Sequence, residues 1–435
     1  MAINNLRLWF RRWWGRDRTT PTVRCALVLV VFVLTISSWK KDRGKGVMRG
    51  VEGPLLGSLD PTLVDLTLVR DAKAKGALCL DGSSPGYHVQ WGDSFGSDNW
   101  LLHLEGGGWC NSVESCALRS RTALGSSRFM QEVHFVGILS PYPSQNPDFY
   151  NWNRVKIRYC DGASFMGNVQ NINQSGSQIF FRGERVWEAI IDQLKLEGLA
   201  KAKKAFLTGC SAGGLAALMH CDNFQAHLPQ TKVKCLADAG FFLNEKDISG
   251  RNTIKAFYDE VIHLQDVTKS LPNNCSTMIE PWQCFFPYEL IKRIQTPIFI
   301  LNPAYDFWQI QHILVPTESD LKGHWGRCRM NIRYCNSNQI EILQGFRKSL
   351  LHALSEFQHN SKVGLFINSC FIHCQTISNI TWHSLMSPRI NNKTIAEAVG
   401  DWFFENRDVK EVDCPYPNEN TIWRFNGDPI SYYFV

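Results

Sequence analysis

The chain predicts an α/β fold, a mostly parallel sheet with helices on both faces, and three observations predict it. Short apolar runs of strand length alternate with segments whose apolar residues recur every three or four positions. A Gly-x-Ser-x-Gly motif, Gly209-Cys210-Ser211-Ala212-Gly213, stands where one apolar run hands over to a helix-forming stretch, as in the elbow of an α/β-hydrolase. Of 15 cysteines only Cys25 lies in an apolar leader, and an even number behind a secretory leader reads as a disulfide framework. The expected arrangement is α/β-hydrolase-like and disulfide-rich, with an SGNH- or flavodoxin-like variant as the alternative.

At the N-terminus, Arg7, Arg11, Arg12, Arg16, Arg18 and Arg24 precede the apolar run from Cys25 to Ser38. That run falls short of the roughly 20 residues of a membrane span and suits a signal-peptide core. Residues 1–39 are therefore expected to be a signal peptide or, if uncleaved, a signal anchor. Six Arg against one Asp in this leader leave the remainder nearly neutral in a chain of net charge +6. The basic balance thus marks targeting and excludes a nucleic-acid binder. Residues 40–60, rich in Gly, Lys and Arg, read as a linker, residues 61–420 as one catalytic domain and residues 421–435 as a tail. The N-x-S/T sequons at Asn173, Asn274, Asn379 and Asn392 are glycosylation candidates that fit the secretory route.

Within the domain, Trp100 to Leu104, Val155 to Tyr159, Ala205 to Thr208, Val233 to Leu236, Pro297 to Leu301 and Val363 to Ile367 read as buried strands. Glu184 to Leu199 puts Val186, Ile190 and Leu194 on one helical face. Ile340, Leu343, Phe346, Leu350 and Leu354 form another, with Asn338 and Glu341 at capping-box spacing, and Thr394 and Glu397 open a third helix in the same way.

A serine nucleophile needs small neighbours, because it sits in a strained bend at the carboxyl edge of a sheet. Alone the motif is weak, since glycine-rich turns also produce it. It further needs a base and a carboxylate that fixes the base's tautomer, in the chain order Ser, Asp or Glu, His. Asp306 follows the run Pro297 to Leu301 by a short loop. His373 follows Val363 to Ile367, flanked by Cys370 and Cys374, which are placed to pin the loop. Asp238 is the strongest rival acid, and His220, His227, His263, His312, His324, His352, His359 and His383 are rival bases. Gly106-Gly107-Gly108-Trp109 directly follows a strand upstream of the serine, so backbone N–H groups of Gly108 and Trp109, with Ala212, form the expected oxyanion hole. Cys370, His373 and Cys374 have zinc-ligand chemistry, but an oxidising compartment favours disulfides and no second ligand pair appears at zinc spacing. No metal and no organic cofactor is assigned. Trp91, Trp109, Trp152 and Trp308 are candidates to stack on sugars, Trp109 foremost.

Several stretches together resemble the plant pectin acetylesterase family, which is related to the animal carboxylesterase Notum. They are Cys79 to Ser83, Trp100 to Ser112, Arg158 to Phe165, Gly209 to Leu215, Asp238 to Phe242, Tyr305 to Ile310, His373 to Thr376 and Ala398 to Phe403. The resemblance places the family's serine, aspartate and histidine on Ser211, Asp306 and His373. It implies a secreted, cell-wall esterase that removes acetyl groups from pectin homogalacturonan, acting as a monomer without cofactor, nucleic acid or stable membrane partner. An uncleaved leader would instead hold it in a Golgi or other secretory-pathway membrane. Two other functions stay open: a Notum-like esterase for a longer acyl chain, and a non-catalytic binder of wall polysaccharide. Pocket depth beside Ser211 separates the first from the acetylesterase. The family's Cys-Pro-Tyr-Pro-Cys ending is replaced here by Cys414-Pro415-Tyr416-Pro417-Asn418, so its terminal crosslinks do not carry over to Cys414.

Overall fold

Alternation of side chains along each strand builds two cores, one on each side of a single large sheet. Leu102, Leu104, Leu207, Ala237, Ile300 and Leu365 enter one core. Their neighbours Leu101, Phe206, Leu236, Phe299, Leu301 and Phe366 enter the other, the period-two pattern of strands buried on both faces. The computed structural model describes residues 60–174, 177–271, 275, 277–404 and 407–418. The leader, nearly all of the linker, Asn274 and the tail lie outside the described residues.

The strands are β1 (Leu66–Leu68), β2 (Gly86–Gln90), β3 (Asn99–Leu104), β4 (Asn153–Ile157), β5 (Lys204–Cys210), β6 (Lys232–Asp238), β7 (Ile298–Pro303), β8 (Val363–Asn368) and β9 (Lys410–Val412). They lie in the order β1-β2-β4-β3-β5-β6-β7-β8-β9. β1 to β2 and β2 to β4 are antiparallel. Every other pairing is parallel. The chain leaves β3 for β4 on one side and returns to β5 on the other, so a topological switch point opens between the carboxyl ends of β3 and β5, where such sheets bind ligands.

The first core is covered by α2 (Gly183–Leu196), α3 (Ala212–His227), α4 (Thr253–Gln265) and α5 (Ser337–Ser355), while α6 (Ile395–Phe403) covers the second; α1 (Val113–Arg119) follows the glycine loop. Among the described residues no helix is long and apolar enough to cross a membrane.

Details of the expected elements shift. The strand expected over Val155 to Tyr159 runs Asn153–Ile157, because Asn153 fixes its start by donating from Nδ2 to Ser97 O and Asn99 O at 2.7 and 3.0 Å. The helix expected to reach Leu199 ends at Leu196, before Gly198 at φ 127°. The capping box of α5 is Asn336 with Gln339 rather than Asn338 with Glu341: Asn336 is extended, and its side chain accepts from the Gln339 N–H at 3.0 Å. The Thr394–Glu397 box of α6 is present.

Among the described residues, six disulfides join twelve cysteines: Cys79–Cys160, Cys110–Cys116, Cys210–Cys374, Cys221–Cys235, Cys275–Cys284 and Cys328–Cys335. Cys374 is therefore a disulfide partner of Cys210, which removes it from the zinc alternative.

Candidate active site

β5 ends at Cys210 and α3 begins at Ala212, leaving Ser211 alone in the turn at φ 59°, ψ −126°. An L-residue held there is strained, the backbone setting that a nucleophile elbow requires. The bend closes only because two side chains are missing. A Cβ on Gly209 would lie 2.0 Å from Gly213 O, and one on Gly213 would lie 2.1 Å from Leu104 O. Ser211 is 5% exposed, and its N–H donates to Asp238 O at 2.9 Å.

Asp306 leaves β7 to cap the short helix Phe307–Gln309, its Oδ1 accepting from Trp308 N at 2.9 Å and Gln309 N at 3.2 Å. Both carboxylate oxygens lie 2.9 Å from His373 Nδ1, and both side chains are buried. With the carboxylate ionised, Nδ1 carries the proton and donates, leaving Nε2 with its lone pair. That Nε2 is buried and has no hydrogen-bond partner among the described residues.

Two features bring the base loop to the elbow. Cys210 precedes Ser211, Cys374 follows His373, and their disulfide spans 164 residues with the Cα atoms 5.6 Å apart. Asp238, at the end of β6, accepts through Oδ2 from Gln375 N at 2.6 Å, Thr376 N at 2.7 Å and Thr376 Oγ1 at 2.7 Å. The rival acid thus holds the backbone just beyond His373 rather than the imidazole. Burial pushes its carboxyl up to about 6, while the three donors pull the other way.

The glycine loop packs against Ser211. A Cβ on Gly106 would lie 2.5 Å from Cys210 O and 2.9 Å from Ser211 Cβ. Its root is Glu105, whose Oε2 accepts from Arg158 Nε at 2.8 Å and Tyr159 N at 3.1 Å. Burial works against the Glu105 anion, but Lys156 and Arg158 outweigh it and hold the carboxyl at about 2. Two carbonyls are tied down: Gly107 O accepts from Arg119 Nη1 at 2.7 Å and Gly108 O from the Tyr159 hydroxyl at 2.8 Å. Within the described residues, no hydrogen bond uses the N–H groups of Gly108, Trp109 or Ala212. The Ser164 hydroxyl accepts from Trp109 Nε1 at 2.8 Å and donates to Ala212 O at 2.9 Å, linking the loop to the elbow.

Beside His373 stands a cluster of aromatic rings. Trp109 meets Phe242, Tyr258, Trp308 and Phe285 edge-on, with centroids 5.0, 5.2, 5.7 and 6.3 Å away. One side of Trp308 stacks on His373 at 5.9 Å and it packs on the exposed His312 ring at 4.5 Å. Trp109 and Trp152 are buried, so they are not surfaces for a sugar. The ring cluster and the second core enclose them; Trp91 and the partly exposed Trp308 remain accessible.

Among the rival histidines, His220 stacks on Trp187 at 4.4 Å inside the first core. Of the sequons, Asn173 belongs to the strand Val169–Gln174. Asn379 is partly buried and accepts from Gly137 N at 2.8 Å, and Asn392 is exposed in a left-handed turn at φ 62°. Reading for a triad did not single out Arg119, Tyr159 or Ser164. Their only signal was their place in or beside stretches that resemble the family.

Residues 58–423 match the profile of the Pectinacetylesterase family. The chain belongs to that family. Pectin acetylesterase 5 of Arabidopsis thaliana is 52% identical over 418 residues, covering 96% of this chain and 97% of the relative. Pectin acetylesterase 4 of the same plant is 49% identical over 420 residues, covering 96% and 99%. The palmitoleoyl-protein carboxylesterase notum2 of Xenopus laevis is 29% identical over 400 residues, 85% of this chain and 76% of the relative. The solved Wnt deacylase Notum from Drosophila, 23% identical, superposes with a TM-score of 0.68 over 82% of this chain and 99% of its own. It shares the fold: a mostly parallel sheet with helices on both faces.

Proposed function

We propose that this family member is a secreted serine acetylesterase that removes acetyl groups from galacturonic acid residues of homogalacturonan. His373 Nε2 takes the proton of Ser211 as the hydroxyl attacks the acetyl carbonyl, while Asp306 steadies the imidazolium without taking the proton. The N–H groups of Gly108, Trp109 and Ala212 hold the oxyanion. His373 then protonates the departing sugar oxygen; water, deprotonated by the same nitrogen, attacks the acetyl-serine, and that proton passes to Ser211 Oγ as acetate leaves. Side chains, backbone N–H groups and water perform every step. The leader, the disulfides and sequons such as Asn392 support the secretory route.

The ring cluster carries the choice of acyl group. Centroids 5.0–5.7 Å apart around Trp109 and Trp308 are at contact distance for edge-on aromatic pairs. Rings packed this closely, with Trp308 stacked on His373, favour acetyl over a long acyl chain. The buried Asp306–His373 pair set beside a strained serine favours turnover over a purely binding role. Acetate release from acetylated homogalacturonan tests the reading: Ser211→Ala should lower kcat by about 10⁴-fold or more. Equal rates for the two proteins would sink it.

A further inference from the structure

Beyond the helix that Asp306 caps, past the turns Ile310–Leu314 and Thr317–Ser319, the chain makes a loop from Asp320 to Cys335 that is unusually basic for a nearly neutral domain. It carries Lys322, Arg327, Arg329 and Arg333 against the lone carboxylate of Asp320, with His324 in addition. Lys322, His324, Arg327 and Arg333 are exposed. Among the described residues, none of these four has an ion-pair partner. Arg327 lies over the Tyr334 ring at 4.4 Å, which orients the guanidinium without neutralising it.

The loop is held in one shape. Asp320 spends its carboxylate on the loop's own backbone, Oδ1 accepting from His324 N at 2.9 Å and Oδ2 from Trp325 N at 2.8 Å. Trp325 is buried in the first core, and the Cys328–Cys335 disulfide closes the far end. Gln339 Nε2, at the start of α5, donates to His324 O at 3.1 Å. Arg329 is an anchor: its Nη1 donates to Val315 O at 3.3 Å and to Thr317 Oγ1 at 3.2 Å.

The loop also flanks the mouth of the site. Gln311 Nε2 donates to Arg329 O at 3.1 Å. Next to Gln311 is His312, whose ring packs on Trp308, which in turn stacks on His373. A ladder of three rings thus leads from the base to the surface beside the strap. Carboxylates stand elsewhere around the glycine loop: Glu114 on α1, and Glu260 and the His263-paired Asp259 on α4. Asn111, next after Cys110 in the glycine-loop segment, donates to Glu260 at 2.6 Å. The exposed cations of this loop attract an anionic chain at the site.

We propose that the strap Asp320–Cys335 is a docking subsite for a polyuronate chain, with Lys322, Arg327 and Arg333 pairing carboxylates of galacturonate residues away from the one being deacetylated. The assignment rests on the function proposed above only for the identity of the polymer. A loop whose backbone is held before binding loses little conformational freedom on docking, and exposed pairs of this kind weaken as salt screens them.

The test separates docking from catalysis. The Ser211→Ala protein is run in native gels containing polygalacturonate or, as control, neutral galactan, beside the same protein carrying Lys322→Ala, Arg327→Ala and Arg333→Ala. The strap variant should lose most of the retardation by polygalacturonate, and added salt should abolish retardation of its parent. In the active enzyme the same triple change should raise KM for acetylated homogalacturonan about tenfold and leave kcat and p-nitrophenyl acetate hydrolysis unchanged. Equal retardation of the two proteins overturns the subsite. Retardation lost with the strap, but no acetate released by the active enzyme, leaves the subsite standing and sinks the acetylesterase reading instead.

Discussion

The two halves of the site are built from different materials. On the β3 and β5 side, main chain presses on main chain: Gly106 against Cys210 and Ser211, Gly209 against Gly213, and Gly213 against Leu104. On the β7 and β8 side, side chains do the positioning. Asp306 caps a helix and holds His373, Asp238 grips the backbone after it, and a disulfide ties the loop to the elbow. Main-chain contact has no rotamers to adjust and fails abruptly when an atom is added. Side-chain scaffolding can be trimmed, with graded changes in what the site accepts.

The largest effect is expected where the contact is tightest. Gly213→Ala places a methyl 2.1 Å from Leu104 O, so β3, the elbow or both must move. Displacement of the nucleophile and of an oxyanion donor should lower kcat about 10²–10³-fold, read with p-nitrophenyl acetate on protein whose folding is checked by circular dichroism. Wild-type turnover from a folded variant would show that the main-chain half is more pliable than its contacts imply.

That division also governs what could be read from sequence. The main-chain half demands glycine, so Gly106 to Gly108 and Gly209 to Gly213 announce themselves as motifs. Strand-end placement points to Asp306 and His373, because β7 and β8 are apolar runs of strand length. Asp238 shared that placement, and only the fold shows that its oxygens face Gln375 and Thr376. The pairing of Cys210 with Cys374, the role of Ser164 and the burial of Trp109 depend on contacts between residues far apart in the chain, which no local period encodes. The antiparallel strands β1, at the sheet's edge, and β2 beside it carry no clear period in the sequence.

Trp308→Ala probes the side-chain half. Removing the indole opens space against Trp109, Phe242 and His373 while leaving the Asp306 cap to backbone N–H groups. The ratio of p-nitrophenyl butyrate to acetate hydrolysis should rise about tenfold, the scale of a few methylenes in an apolar pocket, with kcat/KM for acetate falling less than about tenfold. An unchanged chain-length profile would remove Trp308 as the wall of the acyl pocket.

Asp238→Asn is expected to leave activity nearly intact and to change the pH dependence of stability. The Asp238 carboxyl rises from 3.8 to about 6 on folding because burial disfavours its anion. The folded protein therefore holds that proton more tightly, so the associated stability is fully present below pH 3.8 and is lost as pH climbs through about 6. Two units correspond to about 3 kcal/mol. Asparagine keeps one oxygen to accept from Gln375 N, Thr376 N and Thr376 Oγ1, and it does not ionise. Its Nδ2 replaces a buried oxygen that has no partner among the described residues, a cost that is the same at every pH. Burial likewise raises Asp161 to about 6 and lowers His103 and His220 to about 3 and 4, but these groups are common to both proteins and cancel in their difference. The Tm of the variant relative to wild type should therefore climb between about pH 4 and pH 7 and flatten above. Parallel curves would mean that the three donors to Oδ2 outweigh burial and keep Asp238 ionised throughout.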